Sequence, residues 1–298
     1  MEKRRFGKTD MNVSVLGFGG AEIGFQNASL KTVEDLLLNA LDQGLNVIDT
    51  AECYQGSEDL IGQAVGKRRS DFYLFTKCGH GARYDIHEWS ADQIERSIDR
   101  SLQRLKTDHL DLIQLHSCEE SELRKGEVIQ ALQKAKKEGK ARYIGYSGDG
   151  KAARYAIETG AFDSLQTSVS IADQEALELT IPLAAQRGMG IIAKRPLANA
   201  AWRTKTKPSD PYVQPYWERL QKLQYDFING NLEKPVSVAL RFTLSVPGIH
   251  TAIVGTTKPG RWAENAKLLQ HGNLEGREFD SIRTRWKSVA TPEWVGQV

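Results

Sequence analysis

The sequence predicts an α/β fold, a (β/α)8 TIM barrel, on three observations. Short apolar runs recur along the 298 residues, helical patterns with one apolar face lie between them, and several runs end in a polar side chain. Strands that alternate with helices favour right-handed βαβ units and a parallel sheet, and eight repeats favour closure into a barrel. The predicted strands span residues 13–18, 46–50, 72–77, 110–116, 141–147, 164–169, 190–195 and 251–255. Barrels of this length are commonly one domain, which is therefore predicted for residues 1–298.

The elements outside the barrel strands follow from local patterns. Residues 4–6 and 12–15 flank a glycine-containing turn and predict an N-terminal β-hairpin. Ser90 and Gln93 form a possible capping box ahead of a helix with Ile94 and Ile98 on one face. Further helical faces are predicted at residues 33–41, 60–65 and 128–135, at 216–228 and 233–245 in the long connection after strand seven, and at 276–289 near the C-terminus.

A doubly wound open sheet is the alternative fold. Such a sheet normally carries a G-x-G-x-x-G turn between its first strand and first helix. Residues 16–20 are rich in glycine but lack that spacing. These glycines are better explained by backbone that passes close to a ligand.

Composition narrows the classes of partner. The net charge of +2 gives no reason to expect nucleic acid or an anionic membrane surface. No apolar stretch reaches the roughly 18 residues of a membrane helix, and the basic N-terminus lacks the apolar core of a secretion signal. Three cysteines without metal-ligand spacing favour a reducing compartment, so a cytoplasmic location is expected. The choice between a monomer and a weak oligomer stays open.

Four side chains are predicted to meet at one end of the barrel. Asp49, Lys77 and His116 each end an apolar run, and Tyr54 follows Asp49 closely. The C-terminal ends of barrel strands form one face, where such barrels carry their active sites. An ammonium group near a phenol lowers the phenol pKa, so Lys77 is predicted to acidify Tyr54 as a proton donor, with Asp49 orienting Lys77. His116 is predicted to donate a hydrogen bond to a carbonyl oxygen, and the hydride has to come from a nicotinamide.

Each residue also has a purely structural explanation. Asp49 and Lys77 are equally compatible with a structural ion pair under the rim. Tyr54 is compatible with an aromatic lid over the barrel, and His116 with the capping of a strand end. The placement of the four residues on successive strand ends favours chemistry.

The chain resembles the aldo-keto reductase family. The matching segments are residues 5–9, 13–19, 46–54, 76–77 and 112–116, and the similarity runs from about Arg4 to about Leu269. The resemblance implies the barrel fold, the four catalytic roles given above, and NADPH (NADP+) as the redox cofactor. The substrate is expected to lie against Tyr54, His116 and Trp202, the last from the aromatic loop after strand seven.

The resemblance also implies a set of cofactor contacts. They fall on Gly20, Ala21, Asp49, Ser147, Gln166, Lys194, Arg195, Leu197, Gly255, Thr256, Thr257, Lys258, Arg261, Glu264 and Asn265. Lys258 and Arg261 favour NADPH over NADH, because a guanidinium group binds phosphate well. Two positions depart from the family pattern: Gly148 replaces an asparagine, and Lys194 replaces an aromatic residue that stacks on the nicotinamide.

Three functions follow from these observations. The first is an NADPH-dependent carbonyl reductase acting on a small aldehyde, ketone or alcohol. The second is an NADPH-binding redox-sensing or regulatory barrel with little turnover. The third is a metal-dependent hydrolase using His80, His87 and His116, which lacks the expected ligand spacing; no metal is predicted.

Overall fold

Eight parallel strands close into a barrel. The computed structural model describes residues 1–80, 89–229, 231 and 233–297. Each barrel strand pairs with the next one along the chain, and the last returns to pair with the first. The barrel strands are β3 (Leu16–Gly19), β4 (Val47–Asp49), β5 (Tyr73–Cys78), β6 (Leu110–His116), β7 (Ala141–Ser147), β8 (Ser164–Ser168), β9 (Gly190–Lys194) and β10 (Thr251–Val254). The predicted (β/α)8 barrel is confirmed.

The first predicted strand, residues 13–18, combines two strands of different sheets. Val13 lies in the hairpin of β1 (Lys3–Arg5) and β2 (Asn12–Ser14), where it pairs with Arg4. The barrel strand begins only at Leu16. The apolar run is continuous because Val13 and Val15 are both buried, so its hydrophobicity does not reveal the change of sheet.

The hairpin closes the N-terminal end of the barrel. Phe6, Met11 and Val13 are fully buried in one cluster with Phe75, Leu112 and other barrel residues. Complete burial of a side chain of this size contributes about 1.5–3 kcal/mol. Gly190 makes the contact possible, because a Cβ atom there would lie 2.4 Å from the Phe6 ring. This end is filled, which leaves the opposite end for a site.

Helices surround the barrel. Ser90 caps α4 (Ala91–Leu105), since its side chain accepts a hydrogen bond from the Gln93 backbone N–H at 3.3 Å, and Ile94 and Ile98 are buried beneath it. The helices are α1 (Ala21–Phe25), α2 (Leu30–Asp42), α3 (Ser57–Val65), α4 (Ala91–Leu105), α5 (Glu120–Lys125), α6 (Glu127–Lys137), α7 (Gly150–Thr159), α8 (Ala176–Leu179), α9 (Ile181–Gln186), α10 (Gln214–Leu223), α11 (Glu233–Ser245), α12 (Arg261–Leu268) and α13 (Gly276–Val289).

The long connection after β9 builds a second apolar cluster with the C-terminal segment. Tyr216 of α10, Phe242 of α11 and Trp286 of α13 are buried in it. Trp294 packs edge-on against Trp286, with ring centroids 5.1 Å apart. From there the chain returns to the end of the barrel formed by the C-termini of its strands, which is the mouth of the barrel, and Gly296 lies against the side chain of Asp149 there. The C-terminal segment therefore forms part of the wall around the mouth.

Within the described residues, no helix has the length and apolar character required to cross a lipid bilayer.

Candidate active site

The ends of β4 and β5 bring a carboxylate and an ammonium together. Lys77 Nζ donates to Asp49 Oδ1 at 2.5 Å and to the carbonyl oxygen of Thr50 at 2.8 Å. Both charged side chains are 1% exposed. Removing one partner of such a pair would leave a buried charge uncompensated. The contact predicted between Asp49 and Lys77 is present.

Tyr54 lies beside this ion pair, on the loop that leaves β4. Its ring centroid is 5.1 Å from Lys77 Nζ. The loop is fixed by its backbone, since the N–H of Ser57 donates to the carbonyl oxygen of Tyr54 at 2.7 Å. Phe25 contacts Tyr54 edge-on, with ring centroids 5.5 Å apart. The phenol thus has a fixed position at the mouth.

The protonation of Tyr54 differs from the sequence-based expectation. Burial, and next the charge of Asp49, raise the pKa of the Tyr54 phenol well above its usual range. A net lowering, as predicted from Lys77, is not found, because burial and the charge of Asp49 outweigh the nearby positive charge. A raised pKa means that the phenol carries its proton at neutral pH. The group is therefore in the state required of a proton donor.

His116 completes the cluster at the end of β6. Its ring meets Tyr54 edge-on, with centroids 5.6 Å apart, and also meets His80 at 5.2 Å. Burial, followed by the charge of Lys77, lowers the pKa of His116 well below its usual range. The imidazole is therefore neutral at pH 7 and carries one ring hydrogen.

The second oxygen of Asp49 is bound by two amides from neighbouring strands. Gln166 Nε2 donates to Asp49 Oδ2 at 2.9 Å, and Gln114 Nε2 donates to the same atom at 3.3 Å. Ser147 Oγ in turn donates to Gln166 Oε1 at 3.0 Å. Side chains of β4, β6, β7 and β8 are therefore joined in one hydrogen-bonded network beneath the mouth.

A second charged cluster lies across the mouth, at the ends of β7 and β9. Lys194 Nζ is 2.8 Å from Asp149 Oδ2, and Arg195 Nη1 is 3.7 Å from the same oxygen. Ser168 also donates to Asp149, through its backbone N–H at 2.6 Å and its hydroxyl at 3.0 Å. Arg195 donates further to the hydroxyl of Tyr212 at 2.5 Å. Burial, and next the charge of Arg195, lower the pKa of Lys194 to about 8.

The segment after β10 carries exposed cations and an open helix end. Lys258 and Arg261 are exposed, and Arg261 Nη1 is 3.1 Å from Glu264 Oε2. Gly260 precedes α12 in a left-handed conformation, and no side chain caps the helix. Uncapped N–H groups at a helix N-terminus attract anions. Asn265 of α12 is buried.

Comparison with known proteins decides the family. The sequence profile described as "Aldo/keto reductase family" matches residues 15–287. The chain belongs to the aldo/keto reductase family.

Individual aldo/keto reductase relatives match over most of their length. L-galactose dehydrogenase of Arabidopsis thaliana is 30% identical, over 95% of this chain and 92% of that protein. NADH-specific methylglyoxal reductase of Escherichia coli is 30% identical, over 66% of this chain and 68% of that protein. The holo form of the aldo-keto reductase AKR11C1 from Bacillus halodurans superposes with a TM-score of 0.85 at 26% identity, covering 99% of both chains. The predicted family is confirmed, and the chain is an oxidoreductase of a family that uses nicotinamide cofactors.

The donor set of the mouth fits a dinucleotide. The uncapped N-terminus of α12, with Lys258 and Arg261 beside it, suits a phosphate group. The hydroxyls of Thr256 and Thr257 already form hydrogen bonds within the protein. Thr256 Oγ1 accepts from the Lys258 backbone N–H at 3.0 Å, and Thr257 Oγ1 donates to Gln26 Oε1 at 2.9 Å. The Thr257 contact joins the segment after β10 to the C-terminal end of α1.

Gly20 and Gly255 allow close approach of the neighbouring loops. A Cβ atom on Gly20 would lie 2.7 Å from Ser57 Oγ, and the Gly20 backbone N–H donates to the carbonyl oxygen of Asp49 at 2.7 Å. The carboxylate of Glu22 lies against Gly255, where a Cβ atom would be 1.5 Å from Oε2. Burial raises the pKa of Glu22. This acidic group lies against the segment after β10 and was not predicted, because the sequence of α1 (Ala21–Phe25) carries no signal that would place it there.

Trp202 and Leu197 contact apolar clusters. Both are partly buried against the second cluster, and the indole N–H of Trp202 has no hydrogen-bond partner within the described residues. Neither side chain has a described contact with the four catalytic candidates, so the substrate role of Trp202 stays a prediction. Ala198, Asn199 and Ala200 between them all have positive φ angles, a strained backbone of the kind that accumulates near functional sites.

The C-terminal segment adds contacts that the sequence does not reveal. Arg195 Nη1 donates to the carbonyl oxygen of Gln297 at 2.6 Å, and Arg219 Nη2 donates to that of Val295 at 2.6 Å. Arg219 is buried and lies 5.6 Å from the centre of the Trp294 ring. Backbone carbonyl groups carry no sequence signature, so these contacts could not be predicted.

The hydrolase alternative gains no support. In the described ranges, no group of three or more histidine, cysteine or acidic side chains is placed to bind a metal ion. His80 and His116 contact each other edge-on through their rings. His87 lies outside the described residues.

Proposed function

We propose that the protein is an NADPH-dependent aldo/keto reductase that reversibly reduces an aldehyde or ketone to an alcohol, with Tyr54 as the general acid. The observation that supports this most directly is the joint position of Tyr54 and His116 beside the buried Asp49–Lys77 pair. A phenol that keeps its proton and a neutral imidazole with one N–H group are both suited to a carbonyl oxygen.

The chain's own residues supply binding and proton transfer. The nicotinamide cofactor supplies the hydride when it is bound. His116 donates a hydrogen bond to the carbonyl oxygen and polarises it, and Tyr54 transfers its proton to that oxygen as negative charge develops there. Lys77, fixed by Asp49, keeps positive charge next to the phenol and stabilises the phenolate that remains. In alcohol oxidation, the phenolate accepts the proton.

The proposed substrate is a small carbonyl compound or alcohol. The aromatic rings of Tyr54 and Phe25 lie at the mouth, and Trp202 lies in the connection after β9. These rings suit a partly apolar or sugar-like molecule. The relatives named for L-galactose and methylglyoxal act on small oxygenated molecules by their names, which agrees with this class.

The segment between β10 and α12 supports NADPH as the proposed cofactor. Arg261 and Lys258 lie beside the open end of α12, and the planar guanidinium group suits a 2′-phosphate. The name of the E. coli relative shows that NADH use occurs at 30% identity. We therefore attribute the proposed preference for NADPH over NADH to Lys258 and Arg261.

The catalytic proposal is tested with Tyr54→Phe. The variant is expected to bind NADPH normally and to lose about 10²–10⁴-fold in carbonyl reduction, the usual contribution of a general acid. Tyr73→Phe is the matched control, because Tyr73 lies at the opposite end of the barrel, where its hydroxyl accepts from the Asn12 backbone N–H at 3.3 Å. Near-normal turnover of Tyr54→Phe on a panel of aldehydes would remove Tyr54 as the acid.

The cofactor proposal is tested with Arg261→Ala. The variant is expected to weaken NADPH binding about tenfold or more and to leave NADH binding nearly unchanged, because only NADPH carries the additional phosphate. Arg277→Ala, which removes an exposed arginine of α13, is the control. Equal losses for both cofactors would contradict a 2′-phosphate contact.

A further inference from the structure

The two departures from the family pattern lie together in space. Asp149 follows Gly148 after β7, and its carboxylate binds Lys194 at the end of β9. The two side chains are 5% and 10% exposed. Lys194 is paired in register with Ser168 of the intervening strand β8, so its ammonium extends over the end of that strand. The replacement of an aromatic residue by lysine therefore comes with its own carboxylate partner.

This cluster retains a net positive charge. Asp149 forms an ion pair with both Lys194 and Arg195. Within residues 1–80, 89–229, 231 and 233–297, it is the only carboxylate with a described ion pair to either cation. The other described contacts of Arg195 are neutral: the hydroxyls of Tyr212 and Ser168 and a backbone carbonyl oxygen. One buried carboxylate thus faces two cations.

Two further buried carboxylates form ion pairs with other cations. Asp49 is paired with Lys77, and Asp173 lies 3.6 Å from Arg219. The excess charge reaches the catalytic residues, because Lys194 and Arg195 both contribute to the lowered pKa of His116, after burial, Lys77 and His80. A ring placed between His116 and the end of β9 is therefore in a positive potential.

We propose that Lys194, positioned by Asp149, makes the enzyme discriminate between the redox states of its nicotinamide cofactor, so that the neutral reduced ring binds more tightly than the cationic oxidised ring. This inference rests on the proposed function. With a nicotinamide cofactor bound, carbonyl reduction would use the hydride of the reduced ring for the new C–H bond and the Tyr54 proton for the oxygen, and the oxidised ring would carry a positive charge. Repulsion between that charge and the buried ammonium favours release of the oxidised cofactor.

The experiment compares the dissociation constants of NADP+ and NADPH, measured by titration of tryptophan fluorescence. The ratio of the two constants cancels every contact that both forms share, including those of the phosphates and the adenine. In Lys194→Met and Lys194→Gln, the ratio of the NADP+ constant to the NADPH constant is expected to fall about tenfold, which corresponds to about 30 mV for a two-electron couple. Lys194→Arg keeps the charge and is expected to keep the wild-type ratio.

Lys151→Met is the matched control, because Lys151 is an exposed lysine two residues after Asp149. An unchanged ratio in both Lys194→Met and Lys194→Gln overturns the inference, as does a fall in Lys194→Arg equal to theirs. A wild-type protein that binds neither cofactor form overturns the proposed function itself. If neither neutral variant folds, a wild-type ratio that stays constant as pH rises through about 8, where Lys194 loses its proton, overturns the inference.

Discussion

The Sγ atom of Cys53 lies 3.4 Å from Nδ1 of His116. A neutral imidazole has one N–H group, and a hydrogen bond to one ring nitrogen selects which nitrogen carries the hydrogen. If the thiol donates to Nδ1, the hydrogen resides on Nε2, the nitrogen then left to donate to a carbonyl oxygen. We therefore predict that Cys53 positions the proton of His116 through this contact.

Replacing Cys53 tests this relationship. Cys53→Val removes the donor at similar volume, and we expect kcat to fall about tenfold, the equivalent of one hydrogen bond. Cys53→Ser keeps a donor and is expected to lose less. The 15N chemical shifts of His116 distinguish a protonated from an unprotonated ring nitrogen and report the tautomer directly. A Val variant with the Nε2–H tautomer fully populated would show that Cys53 has only a packing role.

The Asp49–Lys77 pair makes a prediction about stability. Lys77→Met leaves the buried Asp49 carboxylate uncompensated and is expected to lower the free energy of unfolding by about 3–5 kcal/mol. The double variant Asp49→Asn/Lys77→Met is expected to recover much of this loss, because the amides of Gln114 and Gln166 can still donate to a side-chain oxygen at position 49. Urea unfolding measures both values. A double variant less stable than the single one would show that the charges are not coupled.

Much of the barrel and of the catalytic cluster could be predicted from the sequence. Parallel strands place their C-terminal residues on one face, so Asp49, Lys77 and His116 had to be neighbours once their runs were recognised as consecutive strands. The Ser90 cap of α4 is equally local, since Ser90 and Gln93 are three residues apart.

The remainder depends on contacts between distant parts of the chain. The sequence shows that Gly148 and Lys194 depart from the family pattern. It does not show that Asp149, next to Gly148, forms an ion pair with Lys194, because that contact depends on the spacing of β7 and β9 around the barrel. The contact between Arg195 and the carbonyl oxygen of Gln297 joins residues 102 positions apart. The raised pKa of Tyr54 reflects burial first, and burial of one loop residue cannot be derived from its type. Local sequence patterns thus predict where the site residues lie on the strands, whereas the protonation states of their side chains depend on the complete fold.

Titration of Lys194 predicts a pH-dependent cofactor preference. Its pKa is lowered to about 8 by burial and then by Arg195, against the opposing effect of Asp149. As pH rises through that value the ammonium becomes neutral, so NADP+ is expected to bind more tightly relative to NADPH. Isothermal titration calorimetry at several pH values gives both constants. His116 also faces this region but is neutral over the range, and Lys77 is bonded to Asp49. Lys194→Arg provides the control, because arginine stays charged.

Asp173 predicts how stability depends on pH. Its side chain is buried after β8, accepts a hydrogen bond from the Tyr216 hydroxyl at 3.1 Å and lies 3.6 Å from Arg219. Burial, and next the charge of Asp149, raise the pKa of Asp173 to about 7. A carboxyl whose pKa is raised by folding contributes its full stability below the unfolded-state pKa of about 3.9, and that contribution is lost as pH rises from there through the folded-state value.

An uncharged replacement of Asp173 should therefore stabilise the protein by an amount that grows from about pH 4 and levels off above about pH 7. Asp173→Asn keeps an acceptor for Tyr216 but does not ionise. Its gain in free energy of unfolding over the wild type is expected to be clearly larger at about pH 8.5 than at about pH 5, because the wild-type protein loses stability between those values as the folded-state carboxyl resists ionisation. Urea unfolding at the two pH values measures the difference, with Asp280→Asn, at an exposed position of α13, as the control. An Asn variant that is equally destabilised at both pH values would mean that Asp173 is ionised throughout, with its attraction to Arg219 outweighing the cost of burial.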